Sequence, residues 1–373
     1  MKRKSSEPYI STVLHAKGRK LGLPIAGTFE LTARCNFNCP MCYVHLSNEQ
    51  VAQRGCELSA QQWLKIAKDA KDCGMIFALL TGGEPFVRKD FFEIYDGMRK
   101  MGLMISINSN GSMLKGEILE RILENPPIRF NISLYGGCND TYQKMCGIPV
   151  YDQVKENIRA LRKAGIDVNV NLSITQYNHM DLRKIFDDAI DLDVSVKASS
   201  YMYPPMRIDE SKVGTGNRLP AEEAAAYSVS WDLLRFTPDV FEQRAENMSK
   251  FLRQDDEGCP VENGEGIKCR AGMTSFWMTW DGRMLPCGMM TQPCEYPLEA
   301  GFEAAWAGIR KAASQIRTPV KCTTCEYKQV CSQCAAVCQA ETGCFDGVPD
   351  YVCQRTKAIV ELTQQAREER MRK

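Results

Sequence analysis

Histidine is nearly missing from this chain: His15, His45 and His179 are the only three among 373 residues. A zinc hydrolase needs imidazoles converging with an acid, so that class is disfavoured at once. Long apolar runs are missing too. No stretch approaches the roughly 18 residues of a membrane helix, and the basic start (Lys2, Arg3, Lys4) is followed by no apolar segment that would make it a secretory signal. Charge of one sign is also absent. The net charge is +1, which gives no global attraction to nucleic acid or an anionic membrane. The locally basic ends, with Lys17, Arg19 and Lys20 near one and Arg367, Arg370 and Arg372 near the other, read as solvated tails. A chain without signal or span is expected in the cytoplasm, which is reducing.

Cysteine is what the chain has in excess, with 18 residues. In a reducing compartment so many thiols do not read as a disulfide framework; metal or iron–sulfur ligation is the default. Length and a 44% hydrophobic content suffice for a large core and two domains.

Residues 27–203 alternate strand and helix. β-type runs fall at Gly27–Arg34, Ile76–Gly83, Met104–Asn110, Ile128–Gly136, Asp167–Thr175 and Val194–Tyr203. Between them lie helical patterns such as Ser59–Gly74, with a serine cap and Trp63, Ile66 and Ala70 on one face, and Tyr151–Gly165, with Val154, Ile158 and Leu161 on one stripe. Six strands separated by helices imply right-handed βα crossovers and a parallel sheet, either a partly closed barrel or an open doubly wound sheet. In both, function belongs at the C-terminal strand ends. Four unusual segments fall there: the loop carrying Cys35, Cys39 and Cys42 as CxxxCxxC, then "TGGEP" (Thr81–Pro85), "INSNG" (Ile107–Gly111) and "ISLYG" (Ile132–Gly136). Three thiolates leave a four-iron cluster with one iron open to a reactant. In "TGGEP", Gly82 and Gly83 permit close backbone approach to a ligand, and Glu84 offers a carboxylate to a cation.

The cysteine triplet after the first strand of a βα barrel resembles the radical S-adenosylmethionine (radical SAM) enzymes. The resemblance implies an α/β fold, a partial (β/α)6 TIM-like barrel, with a 4Fe–4S cluster held by Cys35, Cys39 and Cys42. The open iron binds S-adenosylmethionine and reduces it, and the resulting 5′-deoxyadenosyl radical takes hydrogen from the substrate. By the same resemblance Gly82, Gly83 and Glu84 are the GGE motif that receives the methionyl amino group. Ser109 and Asn110 face ribose and carboxylate, Ser133 retains the serine of a Ser-Leu-Asp-Gly pattern whose Asp place is Tyr135, and Asn171–Thr175 lies beside the adenine. Where the family often carries Arg, this chain reads "KMCGIP" with Cys146.

Eleven cysteines lie between Cys259 and Cys353, enough for two complete clusters. The segment shows little periodicity, so bound metal is expected to organise it. A pair of zinc sites is the alternative, although only five residues separate the pairs Cys322/Cys325 and Cys331/Cys334, against about 15–20 in a zinc ribbon. The order of Cys269, Gly282, Cys287, "CTTCEYKQVCSQC" and Cys353 resembles the SPASM extension of radical SAM enzymes. It implies one auxiliary 4Fe–4S cluster on Cys322, Cys325, Cys331 and Cys353. A second would rest on Cys269, Cys287 and Cys334, with Cys338 competing for the place of Cys334 and Cys259 as fourth ligand, or with one iron left open. The expected domains are an N-terminal arm (1–26), the barrel core (27–206), a connector and helix (207–258), the C-terminal cysteine-rich iron–sulfur domain (259–355) and a terminal helix (356–373).

SPASM enzymes commonly modify peptides or proteins. The resemblance therefore implies maturation of a ribosomally made peptide by crosslinking, thioether formation or epimerisation, with flavodoxin or ferredoxin as electron donor. Only 26 residues precede the first strand, too few for a winged-helix leader-binding domain, so a separate leader-binding protein or another surface is expected. The alternatives are a sulfatase-type formylglycine maturase, a small-molecule radical enzyme and a non-catalytic redox scaffold. The sulfatase type places Asp directly after the cysteine matching Cys287; here Gly288 stands in that position.

Overall fold

The computed structural model describes residues 9–253 and 262–372, so Cys259 lies outside the described residues. The chain divides into two compact units: 1–36, 46–108 and 267–316 in the first, and 37–45, 109–266 and 317–373 in the second. The cysteine-rich segment is shared between them, and the reason lies in how its first strands pair.

In the first unit β1 (Ala26–Glu30) pairs in parallel with β2 (Phe77–Thr81), and β2 with β3 (Met104–Ser109). On its other edge β1 takes up β7 (Ser275–Met278), again in parallel, and β8 (Met284–Leu285) closes an antiparallel hairpin with β7. Register places Phe29 opposite both Leu80 and Met278, and all three are fully buried. Near-continuous apolar strands are what a parallel sheet covered by helices requires. The helix Ala60–Asp72 supplies cover. Ser59 and Gln62 form a capping box at its start, and Trp63, Ile66, Ala67 and Ala70 line its buried face at helical spacing. The rings of Trp63 and Phe29 meet edge to face at 5.9 Å.

The segment 267–316 also carries apolar packing of its own. Phe276 of β7 packs at 5.8 Å from Phe29, 5.3 Å from Phe302 and 6.1 Å from Trp306, the last two on the helix Phe302–Gln315. Strands of four and two residues carry too little sequence to show alternation, and the alanines of the helix blunt its apolar stripe. The expected N-terminal arm also holds a helix, Tyr9–Leu21.

The second unit has β4 (Arg129–Ser133), β5 (Val168–Ser173) and β6 (Ser195–Ser199), parallel throughout, with Ile132 opposite Val170 and Leu172 opposite Ala198. Helices Tyr151–Lys163 and Leu182–Asp191 follow β4 and β5. Between them the buried Asp188 carboxylate accepts from Tyr151 Oη (2.6 Å), from Lys155 Nζ (2.7 Å) and from Lys184 Nζ. The connector holds helices Ala221–Arg235 and Pro238–Arg253. The terminal helix begins at Asp350, ahead of the expected 356, so Cys353 sits in its first turn. Its first residues read as part of a cysteine motif, which hid the helical pattern.

Candidate metal centre

The first unit carries Cys35 and the GGE motif. Beyond β1 the chain Leu31–Arg34 is fixed by charge. Arg34 forms a fork onto Glu57, Nε to Oε1 at 3.0 Å and Nη2 to Oε2 at 2.6 Å, and Thr32 Oγ1 donates to the same carboxylate. The buried Arg88 donates to the carbonyls of Leu31 (2.8 Å) and Leu58 (2.9 Å) and pairs with Asp90 at 2.7 Å. Against this segment lies the GGE turn: Gly83 N donates to Thr32 O at 2.7 Å, and Glu84 N to Arg34 O at 2.9 Å. A Cβ on Gly82 would stand 2.6 Å from Thr32 O, and one on Gly83 would collide with Arg34 O. The glycines thus permit close approach to the polypeptide leading into Cys35, a different reason from the ligand approach expected of them. Glu84 is fully buried and caps the turn Pro85–Val87, its Oε1 accepting from Phe86 N at 3.3 Å.

The second unit carries Cys39 and Cys42. Cys42 Sγ receives two backbone N–H groups, from His45 at 3.2 Å and Val44 at 3.5 Å. Cys39 hydrogen-bonds the buried Cys146; that contact and burial drive the Cys39 thiol far above its ordinary range. The backbone holds the pair together, Asn38 N donating to Cys146 O at 3.0 Å. Desolvation, and then the nearby thiols, hold the Tyr135 phenol well above its usual range. Ser109 and Asn110 are buried and shape their own turn: Gly111 N donates to Ser109 Oγ (3.0 Å), and Ser112 N and Oγ to Asn110 Oδ1 (3.0 and 2.7 Å). Ser133 ends β4, where its carbonyl accepts from Tyr142 Oη at 3.3 Å. Asn178, fully buried, donates to Tyr135 O (3.0 Å) and Ser173 O (2.8 Å) and so ties the β4 and β5 exits together.

The distal thiols fall into two settings. In the first unit Cys269 and Cys287 line a cavity of about 740 Å³ together with His15, Arg19, Lys268, Arg270 and Trp277. His15 Nδ1 lies 2.8 Å from Thr274 Oγ1, and Trp277 Nε1 donates at 3.0 Å to the fully buried Glu30. A Cβ on Gly288 would lie 2.5 Å from the Trp277 ring, so no aspartate fits there with the indole in place. In the second unit Cys322, Cys325, Cys331 and Cys353 act on one another electrostatically; burial first and then these neighbours push the Cys322 thiol up to about 11. Cys338 is buried beside Cys322, Cys334 and Cys331, its thiol pushed up to about 12 by burial, whereas Cys334 is exposed. Among the described residues, no three His, Cys, Asp or Glu side chains are close enough to hold a single metal ion.

Parallel βα units with a thiol triplet in the loop after the first strand define a class of iron–sulfur proteins. Residues 29–189 match the Radical SAM superfamily, so the βα units of this chain are a radical SAM domain. The chain is 26% identical over 328 residues to an AdoMet-dependent heme synthase of Methanosarcina barkeri, covering 84% of this chain and 92% of that protein. It is 24% identical over 323 residues to a PqqA peptide cyclase of Streptomyces rochei, covering 82% of each. Among solved structures, SuiB of Streptococcus suis bound to its precursor peptide SuiA superposes with a TM-score of 0.62 at 18% identity, covering 92% of this chain and 80% of that one. A radical SAM protein takes a 4Fe–4S cluster and S-adenosylmethionine as cofactors.

The residues present fit an anionic cluster. The donors are thiols, and Cys42 Sγ is met by two N–H dipoles, the partners a thiolate needs. No helix among the described residues is long and apolar enough to cross a membrane. Sequence reasoning passed over Glu30, Glu57, Arg88, Asn178, Trp277 and Arg355. Only Glu30, an acid inside an apolar strand, carried a local signal of burial.

Proposed function

We propose that the protein uses Cys35, Cys39 and Cys42 to hold the SAM-cleaving cluster, and modifies a peptide or protein substrate. The observation that carries the assignment is the Cys42 sulfur with N–H donors from Val44 and His45, in the loop that follows the β1 exit. When bound, the cluster supplies the electron that cleaves S-adenosylmethionine to a radical able to take hydrogen from the substrate. Around it the chain's own residues position and shield. The Arg34–Glu57 and Arg88–Asp90 pairs fix the backbone before Cys35. Gly82 and Gly83 let Glu84 sit against that backbone, where its carboxylate would receive the methionyl ammonium. Ser109, Asn110 and Ser133 would line the nucleoside side. Cys322, Cys325, Cys331 and Cys353 would hold one auxiliary cluster. Cys269 and Cys287, in a cavity with the cations Arg19, Lys268 and Arg270, would hold another with Cys334; those cations suit a negatively charged group.

A relative named as a peptide cyclase and a solved structure bound to a precursor peptide support the peptide reading. A formylglycine maturase is disfavoured, because Trp277 occupies the space an aspartate at 288 would need. The second reading is a tetrapyrrole substrate, favoured by the heme synthase relative that this chain spans over 92% of its length.

The test is anaerobic reconstitution of wild type beside C35A/C39A/C42A, with iron, sulfide and 5′-deoxyadenosine measured. About twelve irons falling to about eight, with cleavage lost, is the expected outcome. Cleavage that survives in the triple variant would sink the assignment. Adding a short cysteine- or aromatic-containing peptide or a porphyrin then separates the readings: the peptide should gain a crosslink or lose mass by two hydrogens, and turnover of the porphyrin instead would favour the second.

A further inference from the structure

Arg355 stands on the helix Asp350–Met371, two residues beyond Cys353, and is 8% exposed. Its hydrogen-bond partners are neutral. Nε and Nη2 donate to Ser200 Oγ at 3.3 and 3.0 Å, and Nη2 reaches Ser228 Oγ at 3.5 Å. No carboxylate among the described residues pairs with it. The contrast with Arg218 in the same unit is direct. The side chain of Arg218, 8% exposed, forks onto Glu341 at 2.5 and 2.9 Å and stacks on Tyr351 at 3.7 Å. Glu341 is thus taken by Arg218 and by Tyr201 Oη, which donates to it at 2.6 Å.

A guanidinium cannot discharge by losing its proton, and a buried charge without a countercharge is costly. One potential source of negative charge close by is sulfur. Thr356, the next residue on the helix, places its hydroxyl 3.5 Å from Cys331 Sγ, and Cys331 acts electrostatically on Arg355 itself. A thiol that keeps its proton offers no countercharge and does not solve the problem. Four thiolates around a 4Fe–4S core do, because that assembly is anionic and becomes more so on reduction.

We infer that Arg355 is the built-in countercharge of an iron–sulfur cluster on Cys322, Cys325, Cys331 and Cys353, favouring its binding and raising its reduction potential. The inference rests on the auxiliary-cluster reading above. It makes Arg355 a positioning residue, one that acts through the cluster and touches no substrate. Cluster charge and nearby fixed charge both set potential, so removing the cation moves the potential to more negative values.

The experiment uses the full chain carrying C35A/C39A/C42A, which leaves only distal iron to observe. Parent, R355K and R355M are reconstituted, and three quantities are read: iron per chain, the midpoint potential by EPR-monitored titration, and melting temperature with and without iron. R355K should keep iron and potential. R355M should lose about four irons per chain or titrate at a more negative potential. It should melt lower than the parent when loaded and no lower when iron-free, since the iron-free chain sheds an uncompensated charge. A melting loss of the same size in both states, or an unchanged iron content and potential in R355M, would overturn the inference. A parent that binds no distal iron would instead remove the cluster reading beneath it, and the two failures are told apart by the parent alone.

Discussion

Two thiol regions of the second unit treat the charge of sulfur differently. In the loop 37–45 the sulfur of Cys42 is met by dipoles, the N–H groups of Val44 and His45. Around Cys322, Cys325, Cys331 and Cys353 a whole positive charge, Arg355, waits in the interior. A dipole is cheap to leave unmatched and costs little when iron is absent; a buried guanidinium is not. The first arrangement suits a site that must exchange a reactant. The second suits a site that is filled once and kept.

Breaking the second region should have the largest effect that separates the two. In C322A/C325A/C331A the SAM-cleaving cluster should survive, so 5′-deoxyadenosine formation persists while modified substrate falls to background, read by mass spectrometry of both products. Loss of cleavage as well would mean the regions are not separable. Next in size is Cys146→Ala. Cys146 is the thiol hydrogen-bonded to Cys39, and with iron bound it would donate to that sulfur. Removing the donor should move the potential of the SAM-cleaving cluster to more negative values, and Cys146→Ser should restore part of the shift. Equal potentials in all three proteins would show that the loop relies on backbone dipoles alone. The smallest effect is a control for Arg355.

Asp188 is as buried as Arg355, but the protein compensates it with Lys155, Lys184 and Tyr151. Burial alone would raise its pKa, but the hydrogen bonds from Lys155, Lys184 and Tyr151 outweigh that and depress it. Its stabilisation is therefore present above the unfolded value of ~3.9 and lost as pH falls through the lower folded value. Asp188→Asn should cost about 1–3 kcal/mol at neutral pH, equally with and without iron, and the gap should close below about pH 4. A gap that depended on iron would weaken the comparison.

How much of this could be seen beforehand follows from distance along the chain. CxxxCxxC occupies eight residues, and the strand–helix alternation has local periods, so both were legible. The six βα strands appear where the alternation placed them. The hairpin of β7 and β8 was not legible, because its partner β1 lies about 250 residues away in sequence and strands this short show no pattern. Gly82 and Gly83 were recognisable as special, yet their neighbours, the carbonyls of Thr32 and Arg34, lie about 50 residues earlier, in the segment after β1. Arg355 was invisible for the same reason: an arginine in a helix reads as solvated until Ser200 and Ser228 are found beside it. Gly288 was noticed only as a departure from a pattern, and the indole that requires it comes from β7.

The two hydrogen bonds that join Gly83 and Glu84 to Thr32 and Arg34 have a mechanical meaning. They rivet the end of β2 to the stretch of chain that delivers Cys35, so a thermal displacement of one is carried to the other. The thiol of Cys35 and the carboxylate of Glu84 then share a single tolerance, set by backbone rather than by side-chain rotamers. Adaptation to a new substrate can rework the rest of the molecule freely, provided that joint stays stiff.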